Sequence, residues 1–203
     1  MHLDLPHLTW SGPPIDDEAT LARVPESLAA ALRLRNGCIA YQGGFHVRGA
    51  CREPAWHSLR AAWEGPEAFH VLYEEVLESD VPFAEDGLGD QFLLRGAEVW
   101  HLWAETGEVE LKSPTLEAFM GDVIEQAREV LSLEPVLAFL EAGQELKPGQ
   151  LLMAYPPFCV SQSDQGVTLT AISTAERREF LATIARQIHD LPDGAEVQFK
   201  VEG

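Results

Sequence analysis

Apolar residues recur with a helical period near the start of the chain. Leu21, Val24, Leu28 and Leu32 are spaced by three or four residues, which predicts helical structure beginning near residue 19. Pro25 interrupts this pattern and is expected at the first turn of a second helix. Asn36 and Gly37 are predicted to end that helix, because both residue types tolerate a positive φ.

A second helical pattern follows Ser113 in the middle of the chain. Ser113 is predicted as the N-cap and Pro114 as the first helical residue. The apolar face of this helix would comprise Leu116, Phe119, Met120, Val123, Ile124, Ala127 and Leu131. Pro135 is expected to begin a shorter helix that ends at Gly143.

Extended structure is predicted between these helical regions. Residues 38–41 and 45–49 are expected to form short extended segments, and residues 91–111 a sheet with turns at Gly96 and at 105–108. Residues 81–92, with two glycines and three carboxylates between aromatic residues, are predicted to form a loop that enters this sheet.

The last sixty residues have the pattern of a separate β-β-α-β unit. Residues 151–155 and 167–172 are predicted strands, and Ser173 with Glu176 forms a capping box. The helix that follows would bury Phe180, Leu181, Ile184, Ala185 and Ile188, and Val197, Phe199 and Val201 alternate as a final strand. Strands and helices are segregated along the chain, which indicates an α+β fold.

Composition favours a single domain over residues 1–203, because 203 residues of which 46% are hydrophobic can build one sizeable core. No apolar run is long enough to span a membrane, and the N-terminus lacks the pattern of a signal peptide. Cys38, Cys51 and Cys159 are few and far apart, so buried free thiols in a cytoplasmic protein are expected.

Negative charge is concentrated in one part of the chain. The net charge is -19, and residues 64–145 contain twenty acids but only Arg95, Lys112 and Arg128 as bases. Such a field repels nucleic acid and anionic membranes, and it favours association with a basic protein. A surface that is acidic only for solubility remains the alternative.

Three acids of segment 81–92, Glu85, Asp86 and Asp90, are the main candidates for chemistry. They would suit a hard cation, but an EF-hand beginning at Asp86 needs a glutamate where the chain has Ala97, so we predict no metal site. Two interpretations stay open: an acidic patch for a basic partner, or side chains that cap backbone amides in a turn.

Motifs for catalysis and cofactor binding are missing from the sequence. The seven histidines show no zinc-ligand spacing, and neither a Gly-x-Ser-x-Gly motif nor a phosphate-binding glycine loop occurs. Cys159 lies between Phe158 and Val160, which indicates a buried thiol. Trp100 and Trp103 are three apart on a predicted strand, so one would lie in the core and the other would be an exposed binding anchor.

Four motifs resemble the SUKH superfamily of Smi/Knr-type domains: residues 25–37, the Gly-Gly-Phe of 43–45, residues 81–92, and residues 99–108. The residues expected to carry the structural signature are Asn36, Gly37, Pro82, Phe83, Gly87, Gly89, Gln91 and Phe92. The resemblance covers about residues 20–142, and residues 143–203 are similar to an extension of some bacterial members.

The resemblance implies one α+β domain, with a mixed or antiparallel sheet flanked by helices and a C-terminal β-β-α-β extension. Most bacterial members are regarded as immunity proteins that neutralise toxins, often nucleases or deaminases. We therefore predict a non-enzymatic binding module without a cofactor, whose partner-binding residues include Glu85, Asp86, Asp90, Trp100 and Trp103. A regulatory or scaffolding adaptor is the first alternative. An enzyme is the second alternative. It requires a pocket where two or more of the side chains of Glu85, Asp86, Asp90, His46 and His101 converge.

Overall fold

Two antiparallel sheets and eight α-helices form the part of the chain that the computed structural model describes, residues 5–189 and 191. The strands of the large sheet are β1 (Leu8–Ser11), β2 (Cys38–Ala40), β3 (Phe45–Val47), β4 (Val81–Asp86), β5 (Gln91–Arg95), β6 (Glu98–Leu102) and β7 (Val109–Ser113). The small sheet contains β8 (Gln150–Tyr155) and β9 (Thr168–Ser173). The α+β class is therefore confirmed.

In sequence, the helices lie between strands of the large sheet or after its last strand. They are α1 (Glu18–Leu21), α2 (Glu26–Leu34), α3 (Leu59–Trp63), α4 (Phe69–Leu72), α5 (Leu116–Glu125), α6 (Ala127–Val130), α7 (Glu134–Glu141) and α8 (Thr174–Ile188). Within the described residues, none of them has the length and apolar character needed to cross a membrane.

The seven strands of the large sheet follow one another in chain order, and each is antiparallel to the next. The sheet is thus antiparallel rather than mixed. Segment 81–92 differs from the prediction, because its first half is not a loop but strand β4, paired with β3 and β5. A tight turn then joins Asp86 to Gln91.

Both faces of the large sheet are buried. Phe92 packs on one side against Phe45 and Phe119, with ring centroids 5.9 and 4.7 Å away. Its neighbour Leu93 packs on the other side in a cluster with Leu181 of α8. Because successive strand residues point to opposite faces, the centre of β5 is apolar at three consecutive positions, Phe92, Leu93 and Leu94.

The helix predictions hold with two corrections. The break at Pro25 is confirmed, but the middle helix is capped by Thr115, whose hydroxyl accepts the Ala118 N–H at 3.1 Å. Ser113 cannot cap it because this residue ends β7, opposite Val99. The helix also stops at Glu125, and Ile124 is 48% exposed instead of buried.

The C-terminal extension begins as predicted, with β8, β9 and the capping box of Ser173 at α8. It packs on the β4–β5 turn: Leu152 donates its N–H to the Gly87 carbonyl at 2.8 Å. Gly89 has a φ of +99°, and a Cβ there would lie 2.8 Å from Leu181. The predicted final strand with Val197, Phe199 and Val201 lies outside the described residues.

The three cysteines are free, and Cys38 and Cys51 are buried as expected. Cys159 is exposed, which corrects the prediction of a buried thiol. Its neighbour Phe158 is 41% exposed, because both residues lie in the connection that follows β8 and not in a core strand.

Candidate functional site

Asp86 organises the turn between β4 and β5. Its Oδ1 accepts the backbone N–H groups of Leu88, Gly89 and Asp90 at 2.9, 2.9 and 3.0 Å. Burial raises the pKa of the Asp86 carboxyl, while these three hydrogen bonds act in the opposite direction. The amide-capping interpretation is confirmed for Asp86, which is 1% exposed and does not face solvent.

Glu85 points into the interior, where it meets a buried cation. Its carboxylate accepts hydrogen bonds from Arg48 Nη2 at 2.5 Å, His46 Nδ1 at 2.8 Å and Gln91 Nε2 at 3.2 Å. Burial alone raises the pKa of Glu85, but the Arg48 charge and the His46 hydrogen bond together lower this pKa to about 2. The ion pair is thus a permanent part of the core at neutral pH.

A chain of polar contacts continues from Glu85 towards α2. His46 Nε2 lies 2.8 Å from His57 Nδ1, and His57 Nε2 lies 2.9 Å from the Asn36 carbonyl oxygen. The contacts His46–Glu85, His46–His57 and His57–Asn36 need three ring protons in all if each is a hydrogen bond. Two neutral imidazole rings carry only two such protons. Burial lowers the pKa of His46, against the effect of Glu85, and lowers that of His57 to about 3. With both rings neutral, one of the three contacts has no proton.

The other residues of the predicted signature support this interior. Asn36 donates to the Pro13 carbonyl at 2.9 Å and accepts the Ala50 N–H at 2.7 Å. Gly37 has a φ of +75°, and a Cβ there would lie 2.4 Å from the Val47 carbonyl oxygen. The Pro82 carbonyl accepts a hydrogen bond from Arg48 at 2.9 Å.

A cavity of about 410 Å³ lies where the extension meets the signature turn and the segment after β6. It is lined by Leu88, Asp90, Trp103, Glu105, Thr106, Glu108, Ser132, Pro135, Phe158, Cys159 and Arg177. Of the five predicted partner-binding residues, only Asp90 and Trp103 line this cavity. The expectation that Glu85 and Asp86 form an exposed acidic patch is wrong, because each is 1% exposed.

The two tryptophans also differ from the prediction. Trp103 follows the end of β6, so strand alternation does not apply to it, and both rings are half-buried. Trp100 lies away from the cavity, with the Arg95 guanidinium 4.5 Å from its ring. Trp103 packs against His101 at 4.2 Å and forms one wall of the cavity.

The polar groups of the cavity are only partly satisfied. Asp90 Oδ1 accepts the Ala104 N–H at 2.8 Å, whereas Oδ2 forms no hydrogen bond within the described residues and lies 3.9 Å from His101 Nε2. Burial raises the pKa of Asp90 to about 6, although the Ala104 hydrogen bond lowers it.

Arg177 is the cation of the cavity, and it is 1% exposed. Its Nε donates to the Leu88 carbonyl at 2.8 Å, and its Nη2 lies 3.4 Å from Glu105. Within the described residues its Nη1 has no hydrogen-bond partner. The cavity lining thus includes one carboxylate–guanidinium contact, and Arg177 carries one covered donor atom without an acceptor.

Sequence reasoning missed three of these residues: Arg48, His57 and Arg177. The alternation of Phe45 and Val47 with His46 and Arg48 could have indicated a polar face on β3. Arg177 gives no such indication, because an arginine in the first turns of an amphipathic helix is ordinarily solvated.

Two pairs of residues named in the enzyme alternative do meet, His46 with Glu85 and His101 with Asp90. A substrate would have little room to reach the histidine of either pair. The space beside His46 and Glu85 has a volume of about 10 Å³, which is too small for a substrate. His101 does not line the cavity. Although Cys159 is exposed as a residue, desolvation of its sulfur atom and the adjacent Glu105 carboxylate raise the pKa of its thiol to about 12. Among residues 5–189, no group of three or more His, Cys, Asp and Glu side chains is placed to hold a metal ion.

Neither a scan against protein-family models nor a search among curated proteins finds a match to this chain. The resemblance to the SUKH superfamily therefore remains a hypothesis that rests on the four sequence motifs.

Proposed function

We propose that this protein is a non-enzymatic binding module that neutralises a basic bacterial toxin in the cytoplasm by covering the toxin's cationic surface. One observation carries the proposal. Of the twenty acids between residues 64 and 145, only Asp80, Glu85, Asp86 and Asp90 are buried. Sixteen acids of this segment therefore remain exposed or half-buried, against three bases within the same segment. We call these sixteen residues the acidic surface.

The acidic surface has few cations of its own. Within the described residues, only Glu64, Glu74, Glu105 and Glu134 of the sixteen take part in an ion pair. Arg95 pairs with the buried Asp80, and Arg128 with Glu134, so two of the three local bases are already engaged. The unpaired carboxylates are free to attract a basic partner and to speed its association.

A nuclease or a nucleic-acid deaminase is a suitable class of partner on physical grounds. Such an enzyme needs cationic side chains to hold the phosphate backbone of its substrate. A surface of closely spaced carboxylates can occupy those side chains and exclude the nucleic acid. The SUKH resemblance points to the same class of partner.

Co-expression with the protein encoded by the adjacent gene tests the proposal. We expect growth arrest by that protein alone and restored growth when both are produced, because the complex blocks the toxin. Full toxicity despite soluble expression of this chain would contradict the proposal. If the adjacent gene is harmless and a pull-down captures a non-toxin partner, the adaptor alternative takes its place.

A further inference from the structure

The cavity beside Trp103 combines a volume typical of ligand sites with charges of mainly one sign. Its volume of about 410 Å³ falls within the range of about 300–1,000 Å³ usual for ligand sites. We infer that this cavity receives one arginine or lysine side chain of the basic partner, together with that residue's backbone carbonyl group. The inference rests on the proposed function and identifies the anchoring contact within it.

Charge complementarity favours a cation as the occupant. Asp90, Glu105 and Glu108 line the cavity against a single base, Arg177. Glu105 is already engaged by Arg177 at 3.4 Å and by the Cys159 N–H at 2.9 Å. Among the described residues neither Asp90 nor Glu108 forms an ion pair with a lysine or an arginine, and the Arg177 and Lys112 charges act on Asp90 only from a distance.

Asp90 is the specific carboxylate for the cation. It is 8% exposed, and its Oδ2 is the oxygen that accepts no hydrogen bond. A buried carboxylate without a partner is costly, and a guanidinium or ammonium group placed beside Oδ2 removes that cost. Burial and the Glu105 charge raise the pKa of Asp90 by more than the Ala104 hydrogen bond and the Arg177 and Lys112 charges lower it, so the nearby cations do not fully offset its burial.

The walls suit the apolar stem of such a side chain. Trp103, Phe158, Leu88 and Pro135 are apolar residues that line the cavity. Lysine and arginine bury their methylene groups against apolar walls while their charged ends reach a polar partner. The face of Trp103 can add a cation–π contact.

Arg177 indicates that the occupant is part of a peptide rather than a simple amine. Its guanidinium is buried, and its Nη1 has no acceptor within the described residues. A carbonyl oxygen is a suitable acceptor for this group, and a peptide carries one close to its side chain whereas a free amine does not. Asp90 and Arg177 would thus hold the two ends of one residue.

Two isosteric probes test the inference on the full chain: N-acetyl-arginine N-methylamide and its neutral analogue N-acetyl-citrulline N-methylamide. The indole N–H resonance of Trp103 reports binding in NMR titrations. We expect the arginine probe to bind at least about tenfold more tightly, because a charge-assisted hydrogen bond to Asp90 is lost with citrulline. Equal binding of the two probes, or no binding of either, overturns the inference.

Butylguanidinium, which carries the charge but no carbonyl group, tests the role of Arg177. We expect it to bind more weakly than the arginine probe. Equal or tighter binding of butylguanidinium would show that a free amine-like ligand, and not a peptide, is the occupant, which also overturns the inference.

Asp90→Asn removes the charge but keeps an oxygen that can accept the Ala104 N–H. The hydrogen bond between residues 90 and 104 is therefore retained in this variant. In this variant we expect the arginine and citrulline probes to bind equally. Glu98→Gln is the matched control, because Glu98 is exposed on the same sheet and does not line the cavity. The control should keep the preference for arginine; a preference that survives in Asp90→Asn contradicts the assignment.

The same variants separate this inference from the proposed function. If the partner binds the original protein but Asp90→Asn leaves its affinity unchanged, the cavity is not the anchor and the binding function stands. If the arginine probe binds at Asp90 but no basic partner is found, the cavity assignment stands and the proposed function fails.

Discussion

Replacing Arg48 by methionine is expected to lower the free energy of unfolding by about 3–5 kcal/mol. Arg48 is 0% exposed, and its guanidinium contacts the Glu85 carboxylate and the Gln91 and Pro82 oxygens. Methionine fills much of the same volume but leaves the buried Glu85 charge without its cation. Urea denaturation followed by circular dichroism measures the change.

The double variant Arg48→Met with Glu85→Gln is the control for this result. It removes both charges, so we expect it to recover much of the stability that Arg48→Met loses, since no unpaired buried charge remains. A loss below about 1 kcal/mol for Arg48→Met would contradict the account of the buried ion pair. The account would also be contradicted if the double variant lost as much free energy of unfolding as Arg48→Met and Glu85→Gln lose in total.

The second large effect is expected at Asp86. Asp86→Ala should lower the free energy of unfolding by about 3 kcal/mol, because three backbone N–H groups lose their side-chain acceptor and each unsatisfied buried group costs about 1–3 kcal/mol. Those groups belong to Leu88, Gly89 and Asp90. Among the described residues, only the Gly89 N–H keeps a second, long contact, to the Asp86 carbonyl at 3.4 Å. The same denaturation experiment measures the loss.

Asp86→Asn distinguishes capping from other roles of the carboxylate. Asparagine keeps an oxygen at the Oδ1 position and removes the charge, so its effect should be clearly smaller than that of alanine. If alanine and asparagine destabilise the protein equally, the negative charge and not the set of three hydrogen bonds is what the turn requires.

Local patterns of the sequence were sufficient for most of the fold. The β5–β6 hairpin, the Ser173 capping box and the break at Pro25 depend on neighbouring residues, and the structure contains all three. The strand β4 could not be predicted in the same way. A proline and two acids are unusual in a buried strand, and Glu85 is accommodated there by Arg48, which is 37 positions earlier.

The candidate site was accessible to sequence reasoning only in part. The excess of acids between residues 64 and 145 is evident from the sequence, and so are Asp90 and Trp103 as candidates. The cavity itself depends on Arg177 reaching the Leu88 carbonyl across 89 positions and on the packing of Leu152 against the Gly87 turn. Such contacts depend on tertiary packing, which neither spacing nor composition specifies.

The acidic surface can be altered without touching the core or the cavity. Glu110, Glu117, Asp122 and Glu125 are exposed and take part in no ion pair among the described residues, so their neutralisation to glutamine or asparagine removes four charges. A matched variant neutralises four exposed acids outside residues 64–145, namely Glu18, Glu53, Asp164 and Glu179.

The affinity of the purified protein for the product of the adjacent gene, measured by calorimetry at low and high salt, tests the central proposal most directly. We predict binding that weakens as salt rises, and an affinity at low salt at least about tenfold lower for the first variant than for the matched variant. Absence of binding, or equal weakening by both variants, would contradict the proposal that the acidic surface binds a basic toxin.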